Sequence, residues 1–215
     1  MKKLTKILAV GMVLLFTSAA VFAFDWISLS NPKTNTMAQV SAGYGSWLVI
    51  PLDVMPVGAI VETKLPFMEN LSAGAGFGYL GLIWDEETNP ATLHFLSLSA
   101  YAKYIALTKD QMEKIIHMPL YIGAAAGLGY QLALGNYTDF SGDAQVLAAY
   151  GGLGGLAVGL VGYEFGWATL TFYGGLIDRS FSFSGDFQFR LSDTMHLGIF
   201  WVPLLGLGAT FTVAF

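Results

Sequence analysis

Residues 180–191 read SFSFSGDFQFRL, and their period decides how the rest of the chain is read. The odd positions carry Phe181, Phe183, Gly185, Phe187, Phe189 and Leu191, and the even ones Ser180, Ser182, Ser184, Asp186, Gln188 and Arg190. Unbroken two-residue alternation matches a strand with one apolar and one polar face, and no helical period reproduces it. The C-terminus repeats the pattern, with Leu205, Leu207, Ala209, Phe211, Val213 and Phe215 set against Gly206, Gly208, Thr210, Thr212 and Ala214. Residues 71–84, LSAGAGFGYLGLIW, give it a third form, in which Gly74, Gly76 and Gly78 alternate with Ala73, Ala75, Phe77 and Tyr79. Glycine weakens an ordinary strand, so a face made of it needs an environmental reason.

Composition supplies one. Of 215 residues, 54% are hydrophobic and only 12% charged, with 26 glycines and no cysteine. A soluble domain of this size would carry more charge, so the exterior is expected to face something apolar. Lys2, Lys3 and Lys6 precede an apolar run over residues 7–16, and Val21 and Ala23 suit a signal-peptidase site, so residues 1–23 read as an export signal. The remaining 192 residues then carry seven basic against fifteen acidic side chains, which excludes a nucleic-acid partner. The missing cysteine rules out disulfides and a lipid-modified N-terminus alike.

Helical spans are the competing reading. Residues 146–163 are uncharged and carry Gly151, Gly155 and Gly159 at small-xxx-small spacing, and residues 194–215 are uncharged for long enough to span. No Lys or Arg cluster flanks either segment, and glycine-rich helices are weak. The alternation favours strands. In hydrocarbon a sheet is viable only when closed, since an open edge leaves backbone groups unsatisfied. The expected fold is therefore all-β: a closed antiparallel transmembrane barrel over residues 38–215, with apolar residues to lipid and small or polar ones to the lumen. Ten strands are expected, near 38–49, 54–65, 70–84, 92–107, 118–134, 145–162, 166–177, 180–191, 195–202 and 204–215. Eight strands, with 180–202 as a long outer loop, is the alternative. Extracellular loops are expected at 51–56, 84–92, 135–144 and 177–180. Periplasmic turns are expected in PFMEN, TKDQMEKIIHM, GYEFG and SDT, and residues 24–37 form a periplasmic segment or plug.

With its leader, its alternating strands and its ending ATFTVAF (209–215), the chain resembles the small bacterial outer-membrane barrels. The resemblance implies an outer-membrane location among lipid and lipopolysaccharide. It also implies that Phe211, Val213 and Phe215 form a signal for the barrel assembly machinery. Within that class the apolar interior is similar to the outer-membrane protein W-like barrels, which are associated with small hydrophobic compounds.

Two roles follow for the interior. Gly74, Gly76 and Gly78, with Gly123, Gly127 and Gly129, supply little volume, so a narrow, mostly apolar lumen binding or passing small hydrophobic molecules is expected. The alternative is a structural or adhesive barrel with a packed lumen, in which Glu62, Lys64, Lys103, Asp186 and Arg190 satisfy one another as internal ion pairs. No catalytic, cofactor or metal site is expected. His94, His117 and His196 are scattered, and His94 and Ser97 lie three apart, on opposite faces of a strand, unlike the His-x-Ser spacing of lipid A deacylases. Asp85, Glu86 and Glu87 read as a solvated loop tip. Trp47, Trp84, Tyr104, Tyr137, Trp167 and Trp201 read as interfacial girdles.

Overall fold

The computed structural model describes residues 36–47, 52–84, 91–138, 144–177, 180–202 and 206–215. They form ten strands: β1 (Thr36–Trp47), β2 (Leu52–Lys64), β3 (Leu71–Trp84), β4 (Ala91–Leu107), β5 (Leu120–Thr138), β6 (Ala144–Glu164), β7 (Ala168–Ile177), β8 (Ser180–Arg190), β9 (Met195–Val202) and β10 (Gly206–Ala214). Each pairs antiparallel with its sequence neighbours, and β1 pairs with β10, so the sheet closes into a barrel without edges at the seam. Thr36 and Phe215 exchange both backbone hydrogen bonds at that seam, at 3.3 and 2.9 Å, placing the start of β1 beside the C-terminus. The eight-stranded alternative is excluded, because 180–202 holds β8 and β9. The expected signal and most of the expected N-terminal segment lie outside the described residues, and β1 begins at Thr36.

Alternation in sequence becomes alternation in space. On β3, Gly76, Gly78 and Leu80 are buried while Ala75 and Phe77 are exposed; on β4, Phe95, Ser97, Ser99, Tyr101, Lys103 and Ile105 are buried while Leu98, Ala100, Ala102 and Tyr104 are exposed. Large apolar side chains stand outward, with Leu153 at 82% and Leu128 at 69% exposure. A closed sheet with this exterior is the arrangement suited to hydrocarbon. No described helix is long and apolar enough to cross a membrane.

Three expectations are corrected. Residues 51–56 were expected to be a loop, yet β2 runs through Leu52–Pro56. The β2–β3 ladder continues through Pro56↔Leu80, whereas the β1–β2 ladder lapses between Ala42↔Val57 and Gly45↔Val54. Proline has no N–H to donate, and the sheet gives up bonds on one side only. Residues 135–138 and 144, expected in an outer loop, belong to strands, because β5 and β6 stay paired up to Thr138↔Ala144, past a register shift between Ala133 and Gly135. Finally, the turn TKDQMEKIIHM contains a helix, α1 (Lys109–Ile116). A reciprocal capping box joins Thr108 to Gln111, and His117 ends the helix in the left-handed conformation at φ 57°. Met112 is buried, and Lys109 reaches Glu164 at the end of β6 at 3.6 Å.

Candidate functional site: the filled lumen

Cross-strand register explains the inner glycines. One row around the wall reads Glu62, Gly74, Tyr101, Gly127, Leu156. Another reads Tyr121, Gly162, Thr171, Asp186, Phe200, Gly208, Gly43. The first alternates large and small residues, and in the second Tyr121 lies over Gly162 and Phe200 over Gly208 and Gly43. A Cβ added at Gly74 would meet the Tyr101 ring, with Cε1 and Oη each 2.6 Å away. One at Gly162 would overlap the Tyr121 ring, and one at Gly208 the Phe200 ring. Tyr121 thereby crosses β6 to exchange a 2.6 Å hydrogen bond with Thr171 on β7. Small barrels are filled by inward side chains in this alternating manner.

The rings carry the first of two polar clusters. Glu62 is fully buried on β2, and its carboxylate accepts from Ser72 Oγ at 2.7 Å, Tyr101 Oη at 2.7 Å and Lys103 Nζ at 2.5 Å. Lys103 is buried as well, at 3% exposure. A desolvated ion pair costs several kcal/mol per ion unless other hydrogen bonds satisfy it, and here Ser72 and Tyr101 do so. On the opposite wall Asp186 accepts from Gln188 Nε2 at 2.5 Å and from Tyr173 Oη at 3.4 Å, and it bonds Thr171. Gln39 on β1 accepts from Thr212 Oγ1 on β10 at 3.2 Å. Ile60, Tyr101, Ala125, Leu156 and Val158 pack as one apolar cluster, and Ile105, Tyr121, Leu160 and Tyr173 as another.

Gly76, Gly78, Gly123 and Gly129 are buried, and Gly74 and Gly127 are partly covered. Of the five expected charges, Glu62 pairs with Lys103, whereas Asp186 is held by neutral groups; Lys64 and Arg190 are half-buried near the turn end. The polar wall formed by Gln39, Ser41, Thr171, Gln188, Thr210 and Thr212, all buried, was not singled out from the sequence. Its signal was there, in the even positions of residues 180–190 and 206–214. Toward the outer loops the inner face turns apolar: Val54 sits opposite Leu82, and Leu80 opposite Phe95, which sits opposite Ala133. All five are buried.

On the outside, His94 is exposed, and its Nδ1 lies 2.8 Å from Tyr79 Oη, while Ser97 is buried, so the two face opposite ways. Phe211 and Phe215 are exposed and Val213 half-buried. Tyr104, Trp167 and Trp201 are exposed as girdle residues would be. The side chains of Trp47, Trp84 and Tyr137, and the whole of Asp85, Glu86 and Glu87, lie outside what is described.

No family model and no curated protein matches the chain. Among solved structures it is similar to the translocator domain of the autotransporter NalP from Neisseria meningitidis, at 11% identity and TM-score 0.45 over 98% of each chain. It is similar to the beta domain of the Bordetella autotransporter BrkA, at 12% identity and TM-score 0.47, covering 85% of this chain and 99% of that one. It is also similar to Neisserial surface protein A, at 10% identity and TM-score 0.35, covering 84% and 96%.

Proposed function

We propose that the protein is an outer-membrane β-barrel with a sealed lumen, a membrane-embedded scaffold and not a pore or an enzyme. The supporting observation is the Glu62–Lys103–Tyr101–Ser72 cluster, with a carboxylate that is fully buried and fully satisfied inside the barrel. A conducting lumen would hydrate such a carboxylate, and its donors would be exchanged for water. The expected export signal, the closed sheet and the aromatic Phe215 after β10 support the outer membrane as its location, with lipid and lipopolysaccharide around it and the assembly machinery as its insertion partner. The turns, α1, the start of β1 and the end of β10 then face the periplasm, and the loops face outward.

A second reading draws on the apolar outer half of the lumen. A small lipophilic molecule entering from outside would have to displace Leu80, Leu82 and Phe95. Planar-bilayer recording separates the readings when combined with titration of an environment-sensitive apolar dye. A sealed scaffold gives neither conductance steps nor saturable dye binding. Saturable binding that is lost in Leu80→Asn would establish the second reading, and stable steps with wild-type protein would contradict both.

A further inference from the structure

We propose that the wall built by β8, β9, β10 and β1 encloses an internal water site, in which a bound water molecule is held by Gln39 Nε2, Gln188 Oε1 and Thr210 Oγ1. These three atoms are buried and have no hydrogen-bond partner among the described residues. The residues that carry them are each 2% exposed. A buried donor or acceptor left unmet keeps its whole desolvation cost, so in folded proteins such groups are partnered by protein or by ordered water. Register brings the three together. Gln188 sits opposite Gly198, Gly198 opposite Thr210, and Thr210 opposite Ser41, the inward neighbour of Gln39 on β1. Gly198 has no side chain of its own, and Gln188 and Thr210 close over it from both sides: a Cβ there would meet Gln188 Cγ at 2.9 Å and overlap Thr210 Oγ1. Gln39 approaches from the far side of Thr210, where its Oε1 accepts from Thr212 Oγ1 on the same face of β10. A water bonded at about 2.8 Å to each partner spans polar atoms up to about 5.5 Å apart, which suits side chains that are diagonal neighbours on a sheet.

Turning the amides over does not remove the need. Gln188 Nε2 donates to Asp186 Oδ2 at 2.5 Å, and the reverse orientation would set its carbonyl oxygen against a carboxyl oxygen. Turning Gln39 would hand Thr212 to its Nε2 and leave its Oε1 without a partner instead. The chemistry of the three atoms then selects the occupant. An amide N–H, an amide carbonyl and a hydroxyl offer a donor, an acceptor and a group that acts as either, all of them neutral. Water accepts from the first, donates to the second and bonds the third, and three protein partners is the usual number for a buried water. A bare cation is disfavoured by the Gln39 N–H. An anion is disfavoured by the Gln188 carbonyl, with Asp186 behind it. A larger organic molecule would have to displace Gln39, Gln188 or Thr212, all buried. The three groups need a partner whether the lumen is sealed or open, so the proposal goes beyond the sealed-lumen reading and does not depend on it.

The test is a crystal structure of the protein purified from membranes, at a resolution that shows ordered water, paired with urea unfolding of Thr210→Val in lipid vesicles. A single density peak within hydrogen-bonding distance of all three atoms is expected. Thr210→Val keeps the side-chain shape and removes one of the water's partners, so its unfolding midpoint should fall to lower urea than that of the wild type. In a dry wall the same change removes an unmet hydroxyl, and the midpoint should rise. The proposal is overturned if no peak lies between the three atoms, if a side chain from residues 24–35 reaches them instead, or if Thr210→Val unfolds at the same or a higher urea concentration. A file of waters running from either mouth to the peak would refute the sealed lumen and support the site, whereas an isolated peak supports both.

Discussion

Replacing Gly74 by alanine tests whether the lumen is filled as described. The new methyl group would fall within the Tyr101 ring, whose Cε1 and Oη lie 2.6 Å from the Cβ position, so the ring has to shift by about 1 Å to restore ordinary contact. Tyr101 Oη is also the donor to Glu62 Oε2 at 2.7 Å, and the carboxylate is fully buried. Overpacking costs typically about 1–3 kcal/mol, and a lost hydrogen bond to a buried charged group about 1.5–3 kcal/mol, so roughly 3–5 kcal/mol is expected together. Gly155→Ala is the control, because a Cβ there meets nothing within 4 Å and faces outward; its effect should stay within about 0.5 kcal/mol. Urea unfolding in lipid vesicles, followed by tryptophan fluorescence and by gel mobility without boiling, measures both. In a double-mutant cycle with Tyr101→Phe, the hydrogen-bond loss is counted once, so the pair should cost less than the sum of the singles. Equal stability of Gly74→Ala and Gly155→Ala would refute the reasoning, since it would mean that the glycine faces open space.

Other outcomes follow from the same geometry. Lys103→Met should destabilise by about 3–5 kcal/mol because it strands a buried carboxylate, and Glu62→Gln/Lys103→Met should recover much of that loss in the same unfolding assay. Lys109→Ala, which removes the part-exposed contact between α1 and Glu164, should cost less than about 1 kcal/mol and disappear into noise at high salt. Phe215→Ser should lower the yield of membrane-inserted protein while leaving export intact, as read by fractionation and heat-modifiable mobility; normal insertion would remove the assembly-signal argument.

The strands were legible because period-2 alternation is written directly in residues 180–191 and 205–215, and the ten segments lie within about four residues of their expected ends. Propensity misled at two places where pairing overrides it. Pro56 sits inside β2 because only one of its two ladders needs the missing N–H, and Gly135–Thr138 stay extended because β6 pairs with them. The helix at 109–116 carried a readable capping box, Thr108 to Gln111, but at eight residues its apolar period is too short to outweigh a turn. What the glycines are for could not be read from one strand. Whether Gly74 faces a void or the Tyr101 ring depends on which residue of β4 lies opposite, and register is a property of the pair. The same holds for the Glu62–Lys103 contact, which joins strands that are not adjacent.

The sealed lumen is tested most directly by chemical access, for which a chain without cysteine is ready made. Single cysteines at the inward positions Ser97 and Thr212, and at the outward positions Leu98 and Leu128, would be exposed in vesicles to a charged, water-soluble maleimide and to a lipid-soluble one. Ser97 and Thr212 are buried inside the barrel, whereas Leu98 and Leu128 are largely exposed on its outer face. The account predicts that the inward cysteines resist both reagents until the barrel is unfolded, and that the outward ones react with the lipid-soluble reagent alone. Rapid modification of Ser97→Cys and Thr212→Cys by the water-soluble maleimide in the folded protein would contradict it, because it would mean that an aqueous path runs through the barrel.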